Sequence, residues 1–276
     1  DPRCTPGPCS PRPMAGPLSR LLTPVLAAWL RRAAQACAAS VTIPAEGILA
    51  LLYPPACAIC DTPLPGSDGL RAGFCGRCLD AMLLVREADP PGAAVATVEA
   101  GFPVAAVGEY SGPLRDAVQL LKYSRRDDLA RPLAILMGDL AVRLERERGG
   151  AWKPPRLLVP VPLHPSRERW RGYNQARLLA TRLSRRFGVP LAPRRALRRR
   201  WRTSSQTGRG ADRRRENMRG VFRAGWRKGL AGKRVLLVDD VVTTGATLEA
   251  CAAALRAAGA GPVTGLVLAR TPKKKR

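Results

Sequence analysis

The sequence predicts an α/β protein, a mainly parallel sheet flanked by helices and preceded by a small four-cysteine module. Two observations carry this. From residue 102 onward, short apolar runs alternate with stretches of helical periodicity, the pattern of strands joined by helical crossovers. Ahead of them, cysteines 57, 60, 75 and 78 form two Cys-x-x-Cys pairs with fourteen residues between them. Apolar residues make up 46% of the 276, enough to bury a sizeable core.

In chain order, residues 1–45 read as a basic, Pro-rich, disordered extension, with a short helix over Leu18–Ala39 broken near Pro24. Residues 46–86 hold the cysteine module, with Ile48–Leu52 packing on the residues after it, and 87–101 read as a linker with little pattern. The domain spans 102–271, and 272–276 form a basic tail. Val104–Tyr110 reads as a strand and Pro113–Tyr123 as a helix, with proline allowed in the first turn. Leu129–Arg148 carries apolar residues at 133, 136, 137, 140 and 144, a helical spacing. Arg156–Val161 is a buried strand and Tyr173–Phe187 a helix. Residues 194–228 are a long polar, basic stretch. Arg234–Val238 is a strand, Thr247–Ala258 a helix stopped at Gly259, and Pro262–Ala269 a last strand.

Lys and Arg number 47 against 21 acids, a net charge of +26. That balance points to polyanionic partners such as phosphates or nucleic acid, although Arg-rich chains also carry such charge as solvated surface. The longest early apolar run, Leu21–Leu30, is interrupted by Pro24 and is too short to span a bilayer. Clustered cysteine pairs in a chain with a real core suggest metal and a reducing cytoplasm.

Each Cys-x-x-Cys presents two thiolates on a tight turn. Two such knuckles, Cys57/Cys60 and Cys75/Cys78, can close a tetrahedron around Zn2+. Local disulfides or unrelated free thiols are the alternative. Four thiolates leave no open coordination position, so the zinc would be structural.

The most informative segment is Val235-Leu-Leu-Val-Asp239-Asp240-Val-Val-Thr243-Thr244-Gly245-Ala246-Thr247-Leu248. A buried strand ends in two acids, where ligands bind in open α/β sheets. A turn of small hydroxyl residues then opens a helix. Backbone N–H groups of Thr244–Thr247 and the hydroxyls of Thr243, Thr244 and Thr247 can surround a phosphate, and Gly245 lets the backbone approach. Asp239 and Asp240 can accept from ribose hydroxyls, directly or through a metal. Strands ending in two acids also occur in nucleoside triphosphatases, but no Gly-x-x-x-x-Gly-Lys-Ser/Thr loop is present.

This segment resembles the signature of type I phosphoribosyltransferases. Residues ~48–270 resemble the ComF family, which joins a Cys4 zinc ribbon to such a domain. Tyr53-Pro-Pro-Ala-Cys57-Ala-Ile-Cys60, Leu121-Lys122-Tyr123, Val159-Pro-Val-Pro-Leu163, Arg171-Gly-Tyr-Asn-Gln175, Arg202-Thr-Ser-Ser-Gln206, Arg215-Glu-Asn217, Val221-Phe222 and Leu268-Ala-Arg270 carry the likeness.

The resemblance implies Mg2+-dependent binding of phosphoribosyl pyrophosphate, with Asp239 and Asp240 as catalytic acids and Thr243–Thr247 on the 5-phosphate. Arg167, Arg169 and Arg171 lie in the loop whose equivalent grips pyrophosphate in such enzymes, and can supply fork-shaped contacts to it. Thr203, Gln206, Arg215 and Asn217 match a mobile loop that closes over the sugar. His164, the only histidine, is expected at the surface with no acid–base task. Asn174 and Gln175 either orient the loop or cap the next helix. No general base is evident. The same likeness implies a role in competence and DNA uptake, with DNA-uptake or recombination proteins as partners. A single-stranded DNA surface using Trp201 and Trp226 as stacking platforms is the alternative reading of the basic stretch.

Overall fold

In the computed structural model, residues 55–64, 73–83, 95–98, 102–148, 153–200 and 220–272 are described. The expectations for residues 1–45, for Thr203, Gln206, Arg215 and Asn217, for Trp201, and for the tail from 273 lie outside them. The element order is α1 (Gly76–Met82), β1 (Val95–Val98), β2 (Phe102–Glu109), α2 (Gly112–Tyr123), α3 (Ala130–Arg148), β3 (Leu157–Pro160), α4 (Pro165–Arg171), α5 (Gln175–Phe187), β4 (Leu197–Arg199), β5 (Phe222–Ala224), α6 (Arg227–Leu230), β6 (Val235–Val242), α7 (Ala246–Ala257) and β7 (Val263–Arg270).

The main sheet runs β1-β2-β7-β6-β3. β2, β7, β6 and β3 are parallel neighbours, and β1 is antiparallel to β2. Both faces are covered, which is why the strands read as continuous apolar runs. Leu236 and Val238 of β6 face α2, α3 and α5, whereas Val235 and Leu237 face α7 and a separate β4–β5 hairpin. This is the α/β sheet expected from the sequence.

Three differences are informative. The stretch read as a linker contains β1, whose four residues lack a polar–apolar alternation to announce them. The basic stretch 194–228 contains an antiparallel hairpin, Leu197↔Ala224 to Arg199↔Phe222, plus α6. The segment after β3, read as a loop, forms α4, which buries no residue and so has no apolar stripe to reveal it.

The cysteine module shares the core of the sheet. Cys57, Leu64, Phe74, Cys78 and Met82 belong to the same buried cluster as Leu114, Leu121 and Leu133. Burying Phe74 and Met82 contributes about 1.5–3 kcal/mol each. The contact is tight at Gly108 of β2, where an added Cβ would lie 2.1 Å from the Met82 carbonyl oxygen. Among the described residues no helix is long and apolar enough to cross a membrane.

Candidate functional site

The site is built where β6 gives way to α7. The acids do not end the strand, because β6 stays paired with β7 through Val242↔Arg270. Asp239 and Asp240 therefore lie in the ladder and, by the alternation of a strand, point to opposite faces. Asp240 turns toward α2, where Lys122 Nζ lies 3.1 Å from its Oδ1, with both side chains largely buried. Asp239 turns toward Arg199 of β4 and Cys251 of α7. The structure thus does not bring the two acids together into one clasp.

Their surroundings differ in consequence. Asp239 keeps part of its surface accessible, but the surrounding protein pushes its pKa up to about 8. Burial is the main cause and the charge of Asp240 adds to it. The Asp240 backbone N–H, which donates to Asp239 Oδ1 at 2.9 Å, pulls the other way, as do Lys122 and Arg199. Burial, reinforced by Asp239, drives the Cys251 thiol well above its usual range. Burial, reinforced by Arg167, lowers the Arg199 guanidinium.

Gly245 takes φ 80° at the N-cap of α7, a left-handed conformation that a side chain disfavours. The first helical bond is Glu249 N–H to Gly245 carbonyl, 2.9 Å. The N–H groups of Ala246, Thr247 and Leu248 precede it and have no partner within the helix. No side chain caps this end. The nearest hydroxyl, Thr244 Oγ1, sits 3.5 Å from the Ala246 nitrogen, at the limit of a hydrogen bond. Thr243 is exposed, and Thr244 and Thr247 are half-buried. A turn of this shape presents donors and a helix dipole to an anion.

Across the cleft, α4 carries the three arginines. Arg167 and Arg171 share a face at i, i+4 spacing, and Arg169 points away and is exposed. Arg171 lies over the Tyr123 ring, 5.1 Å from its centroid, and donates to Gln175 Oε1 at 3.1 Å. Arg171 Nε and Gln175 Nε2 are buried with no hydrogen-bond partner among the described residues. Both expectations for Asn174 hold. Its Oδ1 accepts from Arg177 N–H at 3.2 Å and caps α5, while its Nδ2 donates to the Val161 carbonyl at 3.0 Å and pins the segment after β3. His164 caps α4, its side chain accepting from Ser166 N–H.

Residues 174–276 match the phosphoribosyl transferase domain. Competence protein F of Haemophilus influenzae is 38% identical over 165 residues, 59% of this chain and 71% of that protein. DNA utilization protein YhgH of Escherichia coli K12 is 33% identical over 197 residues, 71% of this chain and 78% of that protein. The chain belongs to the ComF family. Among solved structures, a glutamine phosphoribosylpyrophosphate amidotransferase from B. subtilis complexed with ADP and GMP aligns with 54% of this ComF chain and 30% of its own, at 22% identity and a TM-score of 0.34.

The cysteines of this ComF chain gather as the spacing requires. The Sγ atoms of Cys57, Cys60, Cys75 and Cys78 lie within 4.8 Å of one another, and all four thiols are free of disulfides. A Zn–S bond of about 2.3 Å sets tetrahedral sulfurs about 3.8 Å apart, and Cys60 and Cys75 are at 3.6 Å. The Asp61 N–H closes one knuckle onto the Cys57 carbonyl at 3.0 Å. The Thr62 hydroxyl, with its backbone N–H, lowers Cys60 to about 6, whereas burial raises Cys78. Four such sulfurs can hold a metal ion such as zinc.

Sequence reasoning gave no role to Lys122 or Arg199. Lys122 follows Val118 by one helical turn and so borders the buried face of α2; a cation there needs an acid. Arg199 shares the inward side of β4 with Leu197, a period-2 signal hidden among arginines.

Proposed function

We propose that this ComF chain binds phosphoribosyl pyrophosphate with Mg2+ at the carboxyl ends of β3 and β6, and transfers its phosphoribosyl group to an acceptor. The single observation that carries the reading is the uncapped, glycine-led start of α7 in the turn after the strand that bears both acids. In this reading Thr243, Thr244, Gly245, Ala246 and Thr247 surround the 5-phosphate. Asp240, held by Lys122, accepts from one ribose hydroxyl. Asp239, whose side chain faces β4 and α7, acts from the other side of the strand and does not share that contact. Arg167 and Arg171 meet the pyrophosphate through charge-assisted contacts. Arg169 adds charge at longer range. Thr203, Gln206, Arg215 and Asn217 close over the sugar and exclude water.

Two carboxylates on opposite faces do not chelate one ion together, so the donor set fits an Mg2+ held mainly by pyrophosphate oxygens and at most one aspartate. When bound, Mg2+ supplies charge neutralisation for the departing pyrophosphate. The Cys4 site holds Zn2+ as a structural ion, which suits a reducing cytoplasmic setting. Isothermal titration with phosphoribosyl pyrophosphate and Mg2+ tests the reading. Saturable binding lost in Asp239→Ala/Asp240→Ala is expected; no binding, or binding that ignores both changes, overturns it. Product analysis with a panel of bases and ammonia then identifies the acceptor.

A second reading is a part in competence and DNA uptake, alongside recombination or uptake proteins, with single-stranded DNA as a ligand. The net charge of +26 and the names of the two bacterial relatives favour it. Steeply salt-dependent oligonucleotide binding is its signature.

A further inference from the structure

Among the described residues two exposed aromatic rings adjoin. Trp170 at the end of α4 is 68% exposed and Tyr123 at the end of α2 is 59% exposed. Their centroids are 6.2 Å apart at an interplanar angle of 63°. Burial would have stabilised each ring, so the fold gives up that contribution at both. The Arg171 guanidinium covers the Tyr123 ring and fixes it. The Tyr173 hydroxyl, donating to the Leu121 carbonyl at 2.7 Å, ties the start of α5 to the same turn of α2.

Charge surrounds this ledge. Arg125, just past the end of α2, holds φ 53°, a left-handed position where glycine is favoured. The chain keeps a cation there at the expense of local strain. Arg126 takes up Asp128 in a two-pronged ion pair, leaving Asp127 as the opposing acid, and Arg169, exposed, precedes Trp170 on α4. The Trp226 ring, a stacking platform only in the alternative reading of the basic stretch, is packed against the core under Lys233.

We propose that Tyr123 and Trp170 form a stacking ledge for an unpaired base of single-stranded nucleic acid, whose phosphates are met by Arg125 and Arg169. This rests on the DNA reading above and gives it a location. Rings without a fixed hydrogen-bonding edge accept any base, so recognition is sequence-tolerant. Cationic flanks favour a strand over a free base, which carries no phosphate.

The test is fluorescence anisotropy of labelled (dT)20 against the full chain and the variants Trp170→Ala and Tyr123→Ala/Trp170→Ala. Both rings are exposed, so melting temperatures stay close to that of the parent chain. Expected is weakening on the order of tenfold for the single variant and more for the double, with the slope of log Kd on log salt unchanged because no charge is removed. Arg125→Gly/Arg169→Gln should instead flatten that slope. Equal binding by parent and double variant, or by (dT)20 and an abasic strand, overturns the ledge while leaving the DNA reading standing. No binding of (dT)20 by the parent chain overturns both. Thymidine monophosphate binding as tightly as the strand overturns the assignment to a polymer.

Discussion

α5 and α7 both begin at the carboxyl edge of the sheet; α5 is capped by a side chain, whereas α7, like α2, is not. α5 starts under Asn174, whose side chain both accepts from Arg177 N–H and holds the Val161 carbonyl. α7 starts at Gly245 with no side-chain cap, after a run of threonines able to supply one. Capping contributes about 1 kcal/mol, so an open end in an otherwise well-packed sheet leaves stability unused. What sets α7 apart from the equally uncapped α2 is its hydroxyl-rich turn and the left-handed Gly245 at its N-cap. Asn174 fixes the scaffold, and the Thr243–Gly245 turn holds its donors for a ligand.

The largest expected effect breaks the capped side. Asn174→Ala removes the cap and strands the Val161 carbonyl, at a combined cost of about 2–4 kcal/mol in a denaturant melt. A loss under about 0.5 kcal/mol would mean that the capped end is no more built than the open one.

Next comes the acid that faces α2. Asp240→Ala leaves Lys122 without its partner in a site where both side chains are at most 15% exposed. A loss of about 2–3 kcal/mol is expected, and Lys122→Met/Asp240→Leu should recover much of it. Failure of the double change to recover stability would show that the pair is not the source of the loss.

A comparable or smaller loss probes the scaffold at the docking of the cysteine module. Gly108→Ala forces the Met82 carbonyl away from β2 and should cost about 1–3 kcal/mol without loss of the bound metal. Metal loss in that variant would mean that the knuckles depend on the sheet for their shape.

The smallest effect belongs to Asp239 and has the opposite sign. Its pKa rises from 3.8 to about 8 on folding, so across that window the folded chain holds a proton that the unfolded chain has released. The stabilisation from that proton is whole below 3.8 and is lost as pH climbs through 8. Asp239→Asn stays neutral throughout. Its melting temperature should exceed the parent's by a few degrees at pH 8 to 9, about 1–2 kcal/mol after allowing for partial exposure, and the gap should close near pH 4. A gap that widens toward low pH would contradict the assigned environment.

The alternation of strands and helices and the phosphate turn were legible in the sequence because both rest on local patterns, namely buried apolar runs and a Thr-Thr-Gly-Ala-Thr string. Which way each acid points was not legible, since that depends on how far β6 stays paired with β7, a property of register rather than of residue type. β4 was hidden because arginines occupy both sides of its short alternation, and β5 because three residues are too few to show one. α4 was hidden because a helix that buries nothing has no stripe. The Tyr123–Trp170 contact joins rings 47 positions apart and needed the packing of α2 against α4 to appear.

The most direct measurement is the affinity of ribose 5-phosphate for the parent chain and for Thr244→Val/Thr247→Val. This probe reaches the α7 turn without needing Mg2+ or pyrophosphate contacts. The account predicts saturable binding in the parent and a loss on the order of tenfold or more in the variant, with thermal stability nearly unchanged. Equal affinity in both proteins would contradict it.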